Sequence, residues 1–272
     1  MVTNKKIAIL IDGDNAESKL IEQFIAEAGR FGRVTVKRIY CDWTDNRMNS
    51  WKAVINKFAI RPIQKFAYTT AKNSTDTALI IDAMDLLHSK QVDGFCIVSS
   101  DSDYTGLAHR IREEGLFIMG IGKSHTPEAF VKACENFTFS EILHPTEAIE
   151  TKRIPKKVTK KKEIESEIKP VKLPEQKKSG TIDLNVIGSL KESGIININL
   201  KQIESAYQMI IDIDTGQALL SRFSEALRKV DPTFDHRNFG YSSFRKFCEA
   251  LEPDYETVLH EDGQTLSLRK KE

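Results

Sequence analysis

Asp12, Asp76, Asp101 and Asp103 are the residues of this sequence best suited to chemistry. Asp12 closes an apolar run, IAILI, and opens DGDN. Asp101 and Asp103 close a second run, FCIVSS, as DSD, and Asp76 begins the stretch DTALIIDAM. Carboxylates brought together repel one another, and their pKa values rise unless cations neutralise them. Hard oxygen ligands suit Mg²⁺ or Mn²⁺, which keep several waters and bridge to phosphates. Metals held this way activate water and stabilise the leaving oxygen of a phosphodiester, so metal-assisted hydrolysis is the chemistry this set implies. Each acid also has a plainer reading. Asp101 or Asp103 can cap the helix that begins near Tyr104, Asp76 can complement the positive end of its own helix, and Asp14 or Asn15 can do the same for the first helix. A lone D-x-D after a strand carries little weight. Two strand-end acidic pairs with a third acidic helix start weigh more than these local readings.

The elements that must position these acids alternate. KIAILI and GFCIVSS are near-continuous apolar runs, as expected of strands buried on both faces. VTVKRIYC, RPIQKFA and LFIMGIG supply further strands. Leu20, Ile21, Phe24, Ile25 and Ala28 share one helical face, as do Leu79, Ala83, Leu86 and Leu87. Another helix covers Ala108–Glu114, with Gly115 as its stop, and Thr126 with Pro127 reads as the N-cap and first residue of one more. The expected fold is α/β, a mostly parallel sheet with helices on both faces. In such a sheet reactive groups collect at the carboxyl ends of the strands, where the three acidic segments would meet.

The 272 residues fit one large domain or two ordinary ones, and 40% apolar with 29% charged residues allow real cores beneath a charged surface. No apolar run reaches the roughly 18 residues a membrane span requires, and MVTNKKIAILI reads as a strand rather than a signal peptide. Cys41, Cys96, Cys134 and Cys248 show neither metal-ligand spacing nor a disulfide framework; buried thiols in a reducing cytoplasm are expected. The net charge of +1 hides a division. Between Thr151 and Lys178, eleven Lys and Arg face four Glu, a surplus of seven, so the rest of the chain carries −6. Residues 146–180 hold prolines but no aromatics and no apolar period, and are expected to be a disordered basic linker between domains at 1–145 and 181–272. Its lysines suit either solubility or salt-dependent attraction to phosphates. The second domain reads as helices over Leu184–Lys191, Leu200–Ile210, Leu219–Val230 and Tyr241–Leu251, then a hairpin, YETVLH–EDGQ–TLSLRK, with an Asp-Gly turn. That is the pattern of a small α+β winged helix.

The segments IAILIDGDN, NSTDTALIIDAM, FCIVSSDSDYTGLAHRIREEG, IMGIG and a FVKACENF helix resemble the NYN domains of the PIN-like nuclease superfamily, over roughly residues 5–143. The resemblance implies a Rossmann-like sheet and RNA cleavage with Mg²⁺ or Mn²⁺ bound by Asp12, Asp76, Asp101 and Asp103. It matches Asn15 to a polar residue that helps organise such sites. Asp14 and Ser99 are candidates to support the metal ligands or face phosphate, and Lys72 is a candidate phosphate contact.

The run LLSRFSEALRKVDPTFDHRNFGYSSFRKFCEAL resembles the OST-HTH, or LOTUS, domain, above all in Pro232, Phe234, Asp235, Arg237, Asn238, Phe239 and Gly240. This implies binding of RNA, or docking of a protein partner, without catalysis. Phe234, Phe239, Phe244 and Phe247 are expected in its core. Candidate phosphate contacts are Arg228, Lys229, Arg237, Arg245 and Lys246, with Arg269 and Lys270 at the wing end; Arg237 has Asp235 as an alternative partner. The reading is a cytoplasmic metal-dependent ribonuclease with an RNA-binding module. Its rivals are a non-catalytic RNA-binding adaptor with a vestigial acidic site and, further off, a haloacid-dehalogenase-type phosphatase with Asp12 as nucleophile and Asp14 as general acid.

Overall fold

Ile7, Ile9 and Ile11 point to one side of the first strand and Ala8 and Leu10 to the other, and all five are fully buried. A strand apolar on both faces must lie inside a sheet covered twice. The computed structural model describes residues 5–65, 74–144, 200–252, 254–260 and 262–271. In it Lys6–Asp12 forms β1, at the centre of a six-stranded sheet. β2 (Arg33–Cys41) and β3 (Arg61–Gln64) lie on one side of it; β4 (Gly94–Val98), β5 (Phe117–Gly122) and β6 (Asn136–Phe139) lie on the other. The order is β3-β2-β1-β4-β5-β6, with every pairing parallel. Pro62 lies in edge strand β3, where a missing N–H is tolerated.

Helix α1 (Ile21–Gly29) covers one face, packing Leu20, Ile21, Phe24 and Ala28 against Ile7, Ile9 and Ile11. A single turn, α2 (Asn49–Lys52), adds Trp51 to this core. The other face is covered by α3 (Ser74–His88), α4 (Thr105–Glu113) and α5 (Glu128–Ala133), whose Leu79, Ala83, Leu107, Ile111 and Phe130 meet Ala8 and Leu10. The chain winds outward from β1 to β3, then returns to β4 and winds the other way. That reversal puts the carboxyl ends of β1 and β4 side by side, with Ile11 opposite Val98.

Two local expectations change. The FVKACENF stretch is not one helix: α5 stops at Ala133, Cys134 is extended, and Asn136–Phe139 adds β6 to the sheet. Thr126 does not cap α5; its hydroxyl donates to the Lys123 carbonyl at 2.6 Å, and Pro127 precedes the helix rather than opening it.

The C-terminal part has its own core, built from α6 (Leu200–Gln208), α7 (Leu220–Val230) and α8 (Phe244–Glu249) against an antiparallel sheet. The sheet runs β7-β9-β8, with β7 at Gln217–Leu219, β8 at Tyr255–Leu259 and β9 at Leu266–Lys270. The expected hairpin is β8–β9, with Gly263 at φ 67° in its turn. Phe234 and Phe247 are buried, with Phe239 and Phe244 packed against them. All four cysteines are buried free thiols. The 146–180 segment, the Leu184–Lys191 helix and Lys72 lie outside the described residues.

Candidate metal centre

Because β1 and β4 are neighbours in register, Asp12 and Ser99 emerge together from the carboxyl edge of the sheet. Asp12 is 1% exposed, and its charge is met by three donors. Ser99 Oγ donates to Oδ2 at 2.9 Å, Asn15 Nδ2 to the same oxygen at 2.6 Å, and the Asp14 N–H to Oδ1 at 3.2 Å. Burial raises the pKa of Asp12. The bonds from Asn15 and Ser99 pull it down, the charges of Asp76 and Asp14 push it up, and the balance stays above the usual carboxylate value.

Ser99 reaches in two directions, for its Oγ also accepts the Asp101 N–H at 3.1 Å. Asp101 in turn caps the short turn Ser102–Tyr104, its Oδ1 accepting the Asp103 N–H at 2.9 Å. The capping role foreseen for Asp101 is therefore real. It leaves the carboxylate half-exposed and facing the acids around it. The same turn points the buried Tyr104 hydroxyl at Asp76, and it donates to Oδ1 at 2.8 Å. Burial raises the pKa of Asp76; the Tyr104 bond lowers it, and Asp101, Asp103 and Asp14 raise it again. Helix α3, which carries Asp76 in its first turn, is tied to β2 further along, where Arg38 and the Tyr40 hydroxyl both donate to Asp82.

Asp76, Asp101 and Asp103 each present a carboxylate oxygen, and the three lie within 4.8 Å of one another. Ligands on opposite sides of Mg²⁺ are about 4.2 Å apart at the usual 2.0–2.1 Å bond length. The limit on their separation is close to that span, and the all-oxygen, anionic character of the set fits Mg²⁺ or Mn²⁺. Asp12 is not in this group of three. It lies beneath them, close enough for its charge and that of Asp76 to act on each other. Asp14 is exposed, with Arg47 Nη2 4.0 Å from Oδ1. The loop carrying Asp14 is fixed by Trp51, whose Nε1 donates to the Gly13 carbonyl at 3.2 Å.

Sequence reasoning missed Tyr104 and Arg47. Tyr104 had a signal, since it follows Asp103 directly and opens a helix whose buried face looks toward Asp76. Arg47 had none; only the path of the chain after β2 brings it near Asp14.

The basic residues singled out in the C-terminal part are placed unevenly. Lys229 and Lys246 are exposed. Arg245 pairs with Glu249 at 2.7 Å, Arg269 with Glu256 at 2.5 Å, and Lys270 with Glu204 at 2.8 Å. Arg228 is half-buried, and burial, with Arg30 nearby, lowers its pKa. Arg237 donates to Asp235 Oδ2 at 2.7 Å and to both oxygens of Glu27 at 3.1 Å.

A parallel sheet in this order, with an acidic cluster at its switch point, defines a PIN-like α/β domain. The family model of the NYN domain matches residues 6–142, and the chain belongs to that family. A second model, the OST-HTH/LOTUS domain, matches residues 199–266. These two domains relate the chain to RNA. A solved structure, a protein of unknown function from Vibrio parahaemolyticus, is similar at 20% identity and a TM-score of 0.43, over 51% of this chain and 95% of that one. No curated protein matches the sequence. No helix among the described residues is long and apolar enough to cross a membrane.

Proposed function

We propose that this protein is a metal-dependent ribonuclease that hydrolyses RNA phosphodiesters at the carboxyl edge of its NYN sheet. The observation that carries the reading is the meeting of Asp76, Asp101 and Asp103 within 4.8 Å, from two separate segments, above a buried fourth acid. Mg²⁺ or Mn²⁺ bound there would supply water activation and charge neutralisation at the scissile phosphate. Asp76, Asp101 and Asp103 would be its ligands. Asp12, held by Ser99 and Asn15, adds negative potential beneath the site and fixes the loop that bears Asp14. Tyr104 holds Asp76 in one orientation. The C-terminal domain would raise the local concentration of RNA at this edge, using exposed lysines such as Lys229 and Lys246.

Incubation of purified protein with labelled single-stranded RNA and Mn²⁺ or Mg²⁺, with chelator and Asp101→Asn controls, tests the reading. Cleavage that needs metal and is lost in the variant supports it. RNA left intact under every condition, with binding retained, rejects it. One observation favours a second reading, a non-catalytic RNA-binding adaptor: the Asp12 carboxylate is taken up by protein donors and stands outside the cluster. The same burial opposes a phosphatase in which Asp12 is the nucleophile, since that group must reach phosphorus.

A further inference from the structure

The strongest cluster of charge away from the acidic edge joins the two parts of the chain. Glu27, near the end of α1, is 4% exposed. One of its oxygens accepts from Arg30 at 2.5 Å, and both accept from Arg237 Nη2 at 3.1 Å, 210 residues along the sequence. Asp235 completes the set, 2.7 Å from Arg237 and 3.5 Å from Arg30. Beside it the Phe137 N–H of β6 donates to the Pro232 carbonyl at 2.8 Å. A carboxylate buried as deeply as Glu27 is costly to leave unpaired. Arg30 and the Thr138 hydroxyl, at 3.4 Å, partner it from its own domain, and Arg237 Nη2 adds a charged donor to both its oxygens from the other.

We infer that the Pro232–Arg237 loop is a docking element that fixes the OST-HTH domain to the NYN domain of the same chain. Arg237 is then a protein-contacting residue, and an RNA phosphate would have to displace a buried carboxylate to reach it. Docking leaves the acidic edge open, because Glu27 lies six residues along α1 from Ile21, about 9 Å further from the carboxyl end of the sheet. Because both partners belong to one chain, the contact forms intramolecularly and does not depend on protein concentration. None of this depends on nuclease activity.

The test uses the whole 272-residue chain with dyes on Gln91→Cys and Ser221→Cys, two exposed positions, the four native cysteines being buried. Docked protein gives a single narrow distribution of energy transfer. Glu27→Gln and Arg237→Ala, one in each domain, each broaden it and lower the mean transfer. Circular dichroism identifies a variant that has unfolded, and the other then decides. A broad distribution in the unmutated protein overturns the inference, as does a narrow one unmoved by both variants. Light scattering that reports a dimer, with transfer falling when labelled and unlabelled chains are mixed, also overturns it by assigning the contact to two copies.

Discussion

Tyr104 donates its hydroxyl hydrogen to Asp76 Oδ1 at 2.8 Å, joining the turn after β4 to the first turn of α3. The two residues are 28 apart in sequence, and one carries the other's carboxylate toward Asp101 and Asp103. Removal of that hydroxyl in Tyr104→Phe keeps the ring in the core and frees Asp76 to turn. Partners that orient a metal's ligands typically contribute about 10–100-fold in metal affinity. Titration calorimetry with Mn²⁺ should register a loss of that size with the fold intact, and equal affinity in the variant would refute the positioning role.

Metal binding itself should stabilise the protein. A ligand that binds only the folded state adds about 2.7 kcal/mol at 100 times its dissociation constant. Mn²⁺ or Mg²⁺ should therefore raise the melting temperature, chelator should reverse the rise, and Asp101→Asn should abolish it. A rise of the same size in the variant would place the ion elsewhere.

Ser99 bridges Asp12 and the Asp101 N–H through one hydroxyl. Ser99→Ala leaves a buried carboxylate with one donor fewer, at a cost of about 1–3 kcal/mol. Urea unfolding should report that loss with an unchanged slope. The variant should also weaken Mn²⁺ binding, because the Asp101 loop loses its anchor.

Gly122 stands against this bridge. A Cβ there would meet the Ser99 carbonyl oxygen at 2.6 Å and Thr126 Oγ1 at 2.7 Å. Backbone cannot yield as a side chain does, so Gly122→Ala should cost about 1–3 kcal/mol, as overpacking does. It should also lower cleavage more than Ala substitution at Gly106, where nothing stands within 4 Å. A Gly122→Ala protein that melts and cleaves as the parent does would contradict this.

Stability should depend on acid through Asp235. Burial opposes its charge, but the side chain and backbone N–H of Arg237 and the charge of Arg30 outweigh that and hold its pKa down to about 2. A carboxyl depressed in the folded state contributes stability that is complete above its unfolded pKa of about 4 and is lost as pH falls toward 2. Melting temperatures between pH 5 and pH 2 should fall less steeply for Asp235→Asn than for the parent. Identical slopes would count against the role given to this ion cluster.

The parallel sheet was legible because its strands are apolar on both faces, and KIAILI and GFCIV need no partner to declare burial. The acids were legible because they punctuate those strands. Two kinds of information were not. Asn136–Phe139 is too short and too polar at its start to separate from the helix before it, and only the exposed flank of β5 gives it a place to pair. Membership in the cluster of three was equally hidden. Asp12 and Asp101 look alike in sequence, both following a strand. They differ in their surroundings, since Ser99 and Asn15 turn inward on Asp12 while Asp101 caps a turn at the surface. Arg237 was legible as a basic residue with an acidic neighbour in Asp235; its second partner lay 210 residues away, beyond any local pattern.

The hydrogen bond from Phe137 to Pro232 bears on how this protein can be handled. β6 is the last strand of its sheet, and an outer strand with unpaired amides is a template for pairing with other chains. Here the docked loop occupies one of those amides and stands over that flank. A chain cut after residue 144 would keep every acid of the candidate site and uncover this flank. Such a fragment should be more prone to self-association than the 272-residue chain, and its poor behaviour in solution would reflect the bared strand rather than a defect in the NYN fold.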